Sequence, residues 1–142
     1  MSQKIIKGHK VVKGKAEGEA LVTKDRMSFY GGVNPETGFV TDKTHELNGV
    51  NLKDKILVFP EEKGSSGGSY QIYELAYCNN APKGIINIKA GSIVAVGAII
   101  SEIPMMDQLE TNPLEAIKTG DWVELDADSG TVTVHPSGKK AG

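Results

Sequence analysis

The sequence predicts a mixed α/β fold: β-strands at both ends curl into a sheet or barrel, and a strand–helix–strand unit packs against it. Three observations carry this expectation. Ile56-Leu57-Val58-Phe59 is a continuous apolar run of buried-strand length, ended by Pro60, which lacks the N–H for a further ladder bond. The loop Gly64-Ser65-Ser66-Gly67-Gly68-Ser69 separates it from a helical pattern with Ile72, Leu75 and Ala76 at i, i+3 and i+4. Gly84-Ile85-Ile86-Asn87-Ile88 then supplies a second apolar strand, so the unit is a parallel crossover.

Residues 4–23 read as β, because Ile5, Ile6, Val11, Val12, Ala20, Leu21 and Val22 fit no helical period, and Gly8, Gly14 and Gly18 mark bends. Glu17 and Glu19 have the spacing of a carboxylate pair for acid–base work. A β period puts i and i+2 on one face, which favours a solvated strand face instead. Met27 to Gly38 is a loop with its own turn chemistry, in Gly31-Gly32, Asn34-Pro35 and Thr37-Gly38. It is compatible with an inert connection or with a ligand wall offering Asn34, Thr37 and the Gly31 and Gly32 amides.

Phe39-Val40-Thr41 reads as a short strand and Asn48-Gly49 as a tight turn. Asn79-Asn80-Ala81-Pro82 stops the helix. The apolar stretch Ser92 to Ile103 fits a buried helix or a buried strand. Asn112-Pro113 opens a brief helix, with Gly120 as the glycine past its end. Residues 122–126 and 131–134 form a terminal hairpin in which Trp122 packs inward. One domain is expected over residues 1–135, with 136–142 a frayed tail.

Composition excludes several functions. With 16 basic and 18 acidic residues in 142, the chain has no broad electrostatic case for nucleic acid. No apolar run approaches the ~20 residues needed to span a bilayer, and the first residues lack the apolar core of a secretory signal. One cysteine, Cys78, allows no intrachain disulfide and fits a cytoplasmic location. It also cannot hold an iron–sulfur cluster, which takes about three or four thiolates. His9, His45 and His135 are far apart and show no metal-ligand spacing, so no metal site is expected.

The strand–loop–helix unit is the candidate site. Backbone N–H groups at a helix start have no intrahelical partner and carry partial positive charge, which favours an anion there. The loop matches neither GxxxxGK[ST] nor GxGxxG. Taken alone, it is compatible with a tight connection, a phosphate-binding regulatory module or a catalytic turn. A serine hydrolase is disfavoured by the lack of a GxSxG elbow or a histidine–acid pair.

The segment LVFPEEKGSSGGSYQIYEL resembles the signature of the small subunit, or swivel domain, of aconitase-X-type dehydratases. GxAEGEALV, FYGGVNPETG, GIINIKAGSIVAVGAIISEIPMMDQLE and TGDWVELDADSGTVTV resemble it too, in family order from about Gly8 to Val134. The family includes small subunits of archaeal phosphomevalonate dehydratases and of bacterial cis-3-hydroxy-L-proline dehydratases. The resemblance implies a swivelling β/β/α domain and a two-chain hydro-lyase acting on a small anionic hydroxy acid. It also implies a large catalytic subunit carrying an iron–sulfur cluster as Lewis acid. It makes Ser65 the proton acceptor. Around it, Gly64, Ser66 and Gly67 are the substrate-binding candidates of the loop and Gly31, Gly32, Asn34 and Thr37 those of the adjoining wall. Lys63, two residues before Ser65, fits either a contact to a substrate phosphate or carboxylate or one more solvated lysine. The arginine that follows the related Gly-Ser-Ser turn of aconitase has no counterpart, since Gly67 stands there. Phosphomevalonate is the expected substrate and cis-3-hydroxy-L-proline the alternative.

Overall fold

A computed structural model of the chain describes residues 3–64 and 67–137. Strands β1 (Lys4–Lys7), β2 (His9–Val12) and β3 (Lys15–Val22) come first. Then follow β4 (Ile56–Phe59), α1 (Gly68–Tyr77), β5 (Gly84–Asn87), α2 (Ser92–Ile100) and β6 (Met105–Asp107). The short helix α3 (Pro113–Ala116) precedes the hairpin of β7 (Trp122–Asp126) and β8 (Thr131–His135).

The strands form one open, curled sheet in the order β1-β8-β7-β3-β4-β5-β6-β2. The pairs β1–β8, β8–β7 and β7–β3 are antiparallel, whereas β3, β4, β5 and β6 run parallel with β2 antiparallel at the far edge. Two segments join the halves. β3 pairs with β7 through Lys15–Glu19 and with β4 through Ala20–Val22. β1 and β2 sit at opposite edges yet are separated in sequence only by Gly8, so the sheet must curl until its edges nearly meet. Gly8 donates its N–H to Gly130 O at 2.9 Å, and a Cβ there would collide with Leu109 Cδ2.

Alternation along the parallel strands builds two cores. Ile56, Val58, Ile86 and Met106 pack with Ile6, Val123, Leu125, Val132 and Val134 of the antiparallel half. Leu57, Phe59, Ile85 and Met105 face the other way, onto Phe29, Ile72, Leu75, Val94 and Ala98. The result is three layers, sheet on sheet on helices. Strands buried on both faces need apolar residues at every position, which is why β4 reads as an unbroken run.

Several expectations are corrected. Phe39 and Val40 make isolated bridges with Asn51 and Val33 rather than a strand. The Ser92–Ile103 stretch is a helix to Ile100, and β6 after it went unread because three residues carry no period. α3 has Asn112 as N-cap as expected, but Ile117, in extended conformation, ends it, and Gly120 (φ 98°) belongs to the turn before β7. Trp122 does not pack inward: Val123 and Leu125 take the core positions, and its Nε1–H donates to Glu17 on the outer sheet face. Glu17 and Glu19 lie on that face, with Glu19 paired to Lys55 at 3.1 Å. Most of the expected 136–142 tail lies outside the described residues; Ser137 N–H donates to Asp121 at 2.9 Å.

Candidate active site

Helices α1 and α2 start at the same rim, above the C-terminal ends of β4 and β5, where ligands of open α/β sheets bind. The two starts differ in one respect. At α2, the carboxylate of Glu62 accepts from Val94 N–H at 2.8 Å and Ile93 N–H at 3.3 Å. The chain thus fills that anion site with its own side chain. At α1 the N-cap is Gly67, the first turn holds no acidic residue, and no described side chain accepts from its first amides. Among the described residues, one helix end at this rim is left open to an exogenous anion, and it is the end of the glycine-serine loop.

Ser69 Oγ–H donates to Ile93 O at 2.6 Å, locking α1 to α2. Ser65 and Ser66 lie outside the described residues. Among the described residues, no atom lies within 4 Å of where a Cβ at position 64 would stand. Gly67 lies under the ring of Tyr30, where a Cβ would approach Tyr30 Cδ1 to 2.5 Å. Tyr30 itself is 61% exposed and leads directly into Gly31 and Gly32.

The structure therefore brings Gly31 and Gly32 to the same side of α1 as Gly64 and Gly67. Asn34 and Thr37 belong to a loop that runs along α1: Gln71 Nε2–H, one turn past the α1 start, donates to Val33 O, and Asn80 Nδ2–H, beyond the α1 end, donates to Pro35 O. Asn34 Oδ1 accepts from Glu36 N–H at 2.9 Å and Thr37 Oγ1 from Phe39 N–H at 3.2 Å, so both side chains stabilise the turn that carries them.

Lys63 is exposed and donates its N–H to Met27 O at 2.8 Å. This contact seats it beside a polar hollow of about 190 Å³ lined by Asp25, Arg26, Asp42, Thr44, His45 and Lys63. Arg26 is the only arginine in the chain. Sequence reading passed over it because nothing local links it to Lys63; the Met27–Glu62 bridge does so in space. His45 Nδ1 accepts from Leu47 N–H, so Nε2 carries the proton it donates to Arg26 O. The Thr44 hydroxyl and amide donate to Asp42 and hold its carboxyl below the usual carboxylate range, with Lys63 and His45 adding to the effect. A larger hollow of about 680 Å³, around Lys15, Lys83 and Glu102, lies at the opposite ends of the parallel strands, away from both helix starts.

The histidines remain apart: His9 pairs with Asp107 at 2.8 Å and His135 with Glu124 at 2.6 Å. Cys78 closes the far end of α1. Among the described residues, no group of three or more His, Cys, Asp or Glu is arranged to hold a metal ion. Nor is any helix among them long and apolar enough to cross a membrane.

A three-layer β/β/α domain with an open helix start behind a glycine-serine loop is the architecture of a swivelling domain. The family model of the aconitase X swivel domain matches residues 5–134, and the chain belongs to that family. It is 56% identical over 127 residues to the phosphomevalonate dehydratase small subunit of Methanocella arvoryzae, covering 89% of this chain and 96% of that protein. It is 52% identical over 134 residues to the phosphomevalonate dehydratase small subunit of Thermococcus kodakarensis, covering 94% and 98%. The crystal structure of Thermococcus kodakaraensis aconitase X in its holo form superposes with a TM-score of 0.87 at 52% identity, covering 92% of this chain and 98% of that one.

Proposed function

We propose that this chain is the small subunit of a cytoplasmic, two-chain phosphomevalonate dehydratase and supplies the proton acceptor, Ser65. Identity of 47–56% across most of the chain to small subunits of that name supports the reading. The open α1 start is the observation that carries the site. Phosphomevalonate has a carboxylate and a phosphate, and the reaction removes a proton from the carbon next to the carboxylate. That proton passes to the Ser65 Oγ alkoxide, and a C=C bond forms as the C–O bond on the adjacent carbon breaks. The departing hydroxide takes a proton from an acid on the large subunit to leave as water, and Ser65 later gives up its own proton to restore the alkoxide.

Serine is a weak base, so its alkoxide needs stabilisation. The α1 amides behind the loop provide preorganised positive potential, which acts most strongly once water is excluded. Gly64 and Gly67 let the backbone approach the substrate closely, the Ser66 hydroxyl orients it, and the Gly31-Gly32 backbone forms the adjoining wall. Lys63 and Arg26 face the anionic end of the substrate. The described residues do not fit an iron–sulfur cluster, so the cluster belongs to the large subunit in this proposal. Asn34 and Thr37 hold the loop that carries Gly31 and Gly32.

The test is an assay of the chain reconstituted with its large subunit against phosphomevalonate and cis-3-hydroxy-L-proline. Dehydration of phosphomevalonate is the expected result. Turnover of the proline alone would overturn the substrate assignment.

A further inference from the structure

Helix α2 carries no charged residue over its nine positions, yet it lies in an outer layer. Val94, Gly97 and Ala98 face inward, while Val96, Ile99 and Ile100 stand exposed. α1 lies alongside, with Gly97 against Ile72 and the backbone of Ser69. Its outward positions are Tyr70, Tyr73 and Tyr77, at i, i+3 and i+7, and Tyr70 and Tyr77 are 76% and 75% exposed. Val96 and Ile100 flank Gly97 on α2, so the tyrosine stripe continues across the seam between the helices. The outer face of the antiparallel half is different in kind: Lys15, Glu17, Glu19, Glu124 and Asp126 lie along its strands.

We infer that this helical face is the docking surface for the large subunit, with contact running from the α1 start along both helices. The inference rests on the two-chain reading above. Two observations select this occupant. The small subunits matched here are covered over 96–98% of their own length, so almost nothing outside this domain is left to hold a partner. The stripe also begins at Tyr70, three residues past Gly67, so a partner that completes the site at the α1 start is continuous with it. Contiguous exposed apolar side chains mark interaction sites, and tyrosines buried there are frequent energetic anchors.

The test measures binding of the purified large subunit to the wild-type chain and to Tyr70→Glu, Tyr77→Glu and Ile99→Glu. Ile5→Glu, at an exposed apolar position in β1 on the antiparallel half, is the control. Each helical variant is expected to weaken the complex about tenfold or more, as central interface positions do. The melting temperature of each isolated variant should stay at the wild-type value, and Ile5→Glu should bind normally. Helical variants that bind like wild type, or a control that weakens binding equally, would overturn the surface. An isolated chain that dimerises through these residues and binds the large subunit without dissociating would also overturn it. Absence of any complex with the wild-type chain would overturn the two-chain reading instead.

Discussion

The carboxylate of Glu62 sits on the start of α2, 2.8 Å from Val94 N–H, and Gly91 is the residue that makes room for it. A Cβ at position 91 would collide with the Glu62 carboxyl group. Gly91→Ala should therefore uncap α2 and cost about 1 kcal/mol, the usual value of a helix cap. Glu62→Ala should cost a similar amount. The two should be strongly non-additive in chemical denaturation, because each removes the same interaction. Additive losses would mean that the carboxylate does not cap the helix.

Gly67 and Tyr30 give a second coupled pair. Gly67→Ala pushes against a ring that is exposed and free to swing, so stability should change by only about 0.5 kcal/mol. The shift should displace the loop and lower kcat of the reconstituted enzyme by about 10- to 100-fold, the scale of a small misplacement at a reacting centre. Adding Tyr30→Ala should restore much of that loss. A double variant no better than Gly67→Ala alone would contradict the coupling.

Most of the fold was legible because its strongest signals are local. The unbroken run Ile56–Phe59 announces a strand buried on both faces, and Ile72 and Leu75 announce the inward stripe of α1. What stayed hidden depends on contacts distant in sequence. β6 is three residues long and is defined by its pairing with β5 and β2. Trp122 looked like a core residue, yet the strand's alternation gives the core to its neighbours Val123 and Leu125. In the site, the glycine-serine loop and α1 were visible from sequence. Glu62 closing α2, Arg26 beside Lys63 and the course of residues 33–35 along α1 were not, because each depends on how separate segments meet.

Asp42 offers a pH test of the hollow beside Lys63. Its carboxyl titrates below the ordinary 3.8, first because of the Thr44 hydroxyl and amide. A carboxyl depressed on folding stabilises the native state above its unfolded value, and the stabilisation fades as pH falls through the folded value. Thr44→Val should raise the Asp42 titration towards 3.8 and weaken the fall in stability below about pH 4. Carboxyl-carbon NMR titration of both proteins measures this. An unchanged Asp42 titration in the variant would remove the Thr44 hydroxyl as the leading cause.

The purified chain alone should be colourless, iron-free and inactive, because its single cysteine cannot replace the three or four thiolates of a cluster. Iron analysis and the visible spectrum test this directly. Stoichiometric iron with a charge-transfer band in the isolated chain would contradict the assignment of the cluster to the partner.

Whether Ser65 accepts the substrate proton is measured directly by kcat of Ser65→Ala beside Ser66→Ala. Both should be assayed with large subunit and phosphomevalonate saturating, so that weakened assembly is not mistaken for lost chemistry. Ser65→Ala should lower kcat by roughly 10²–10⁴-fold, the contribution of a positioned general base. Ser66→Ala should act mainly through KM, as lost uniform binding does. Near-normal kcat in Ser65→Ala under those conditions would place the base elsewhere and leave this loop with binding alone.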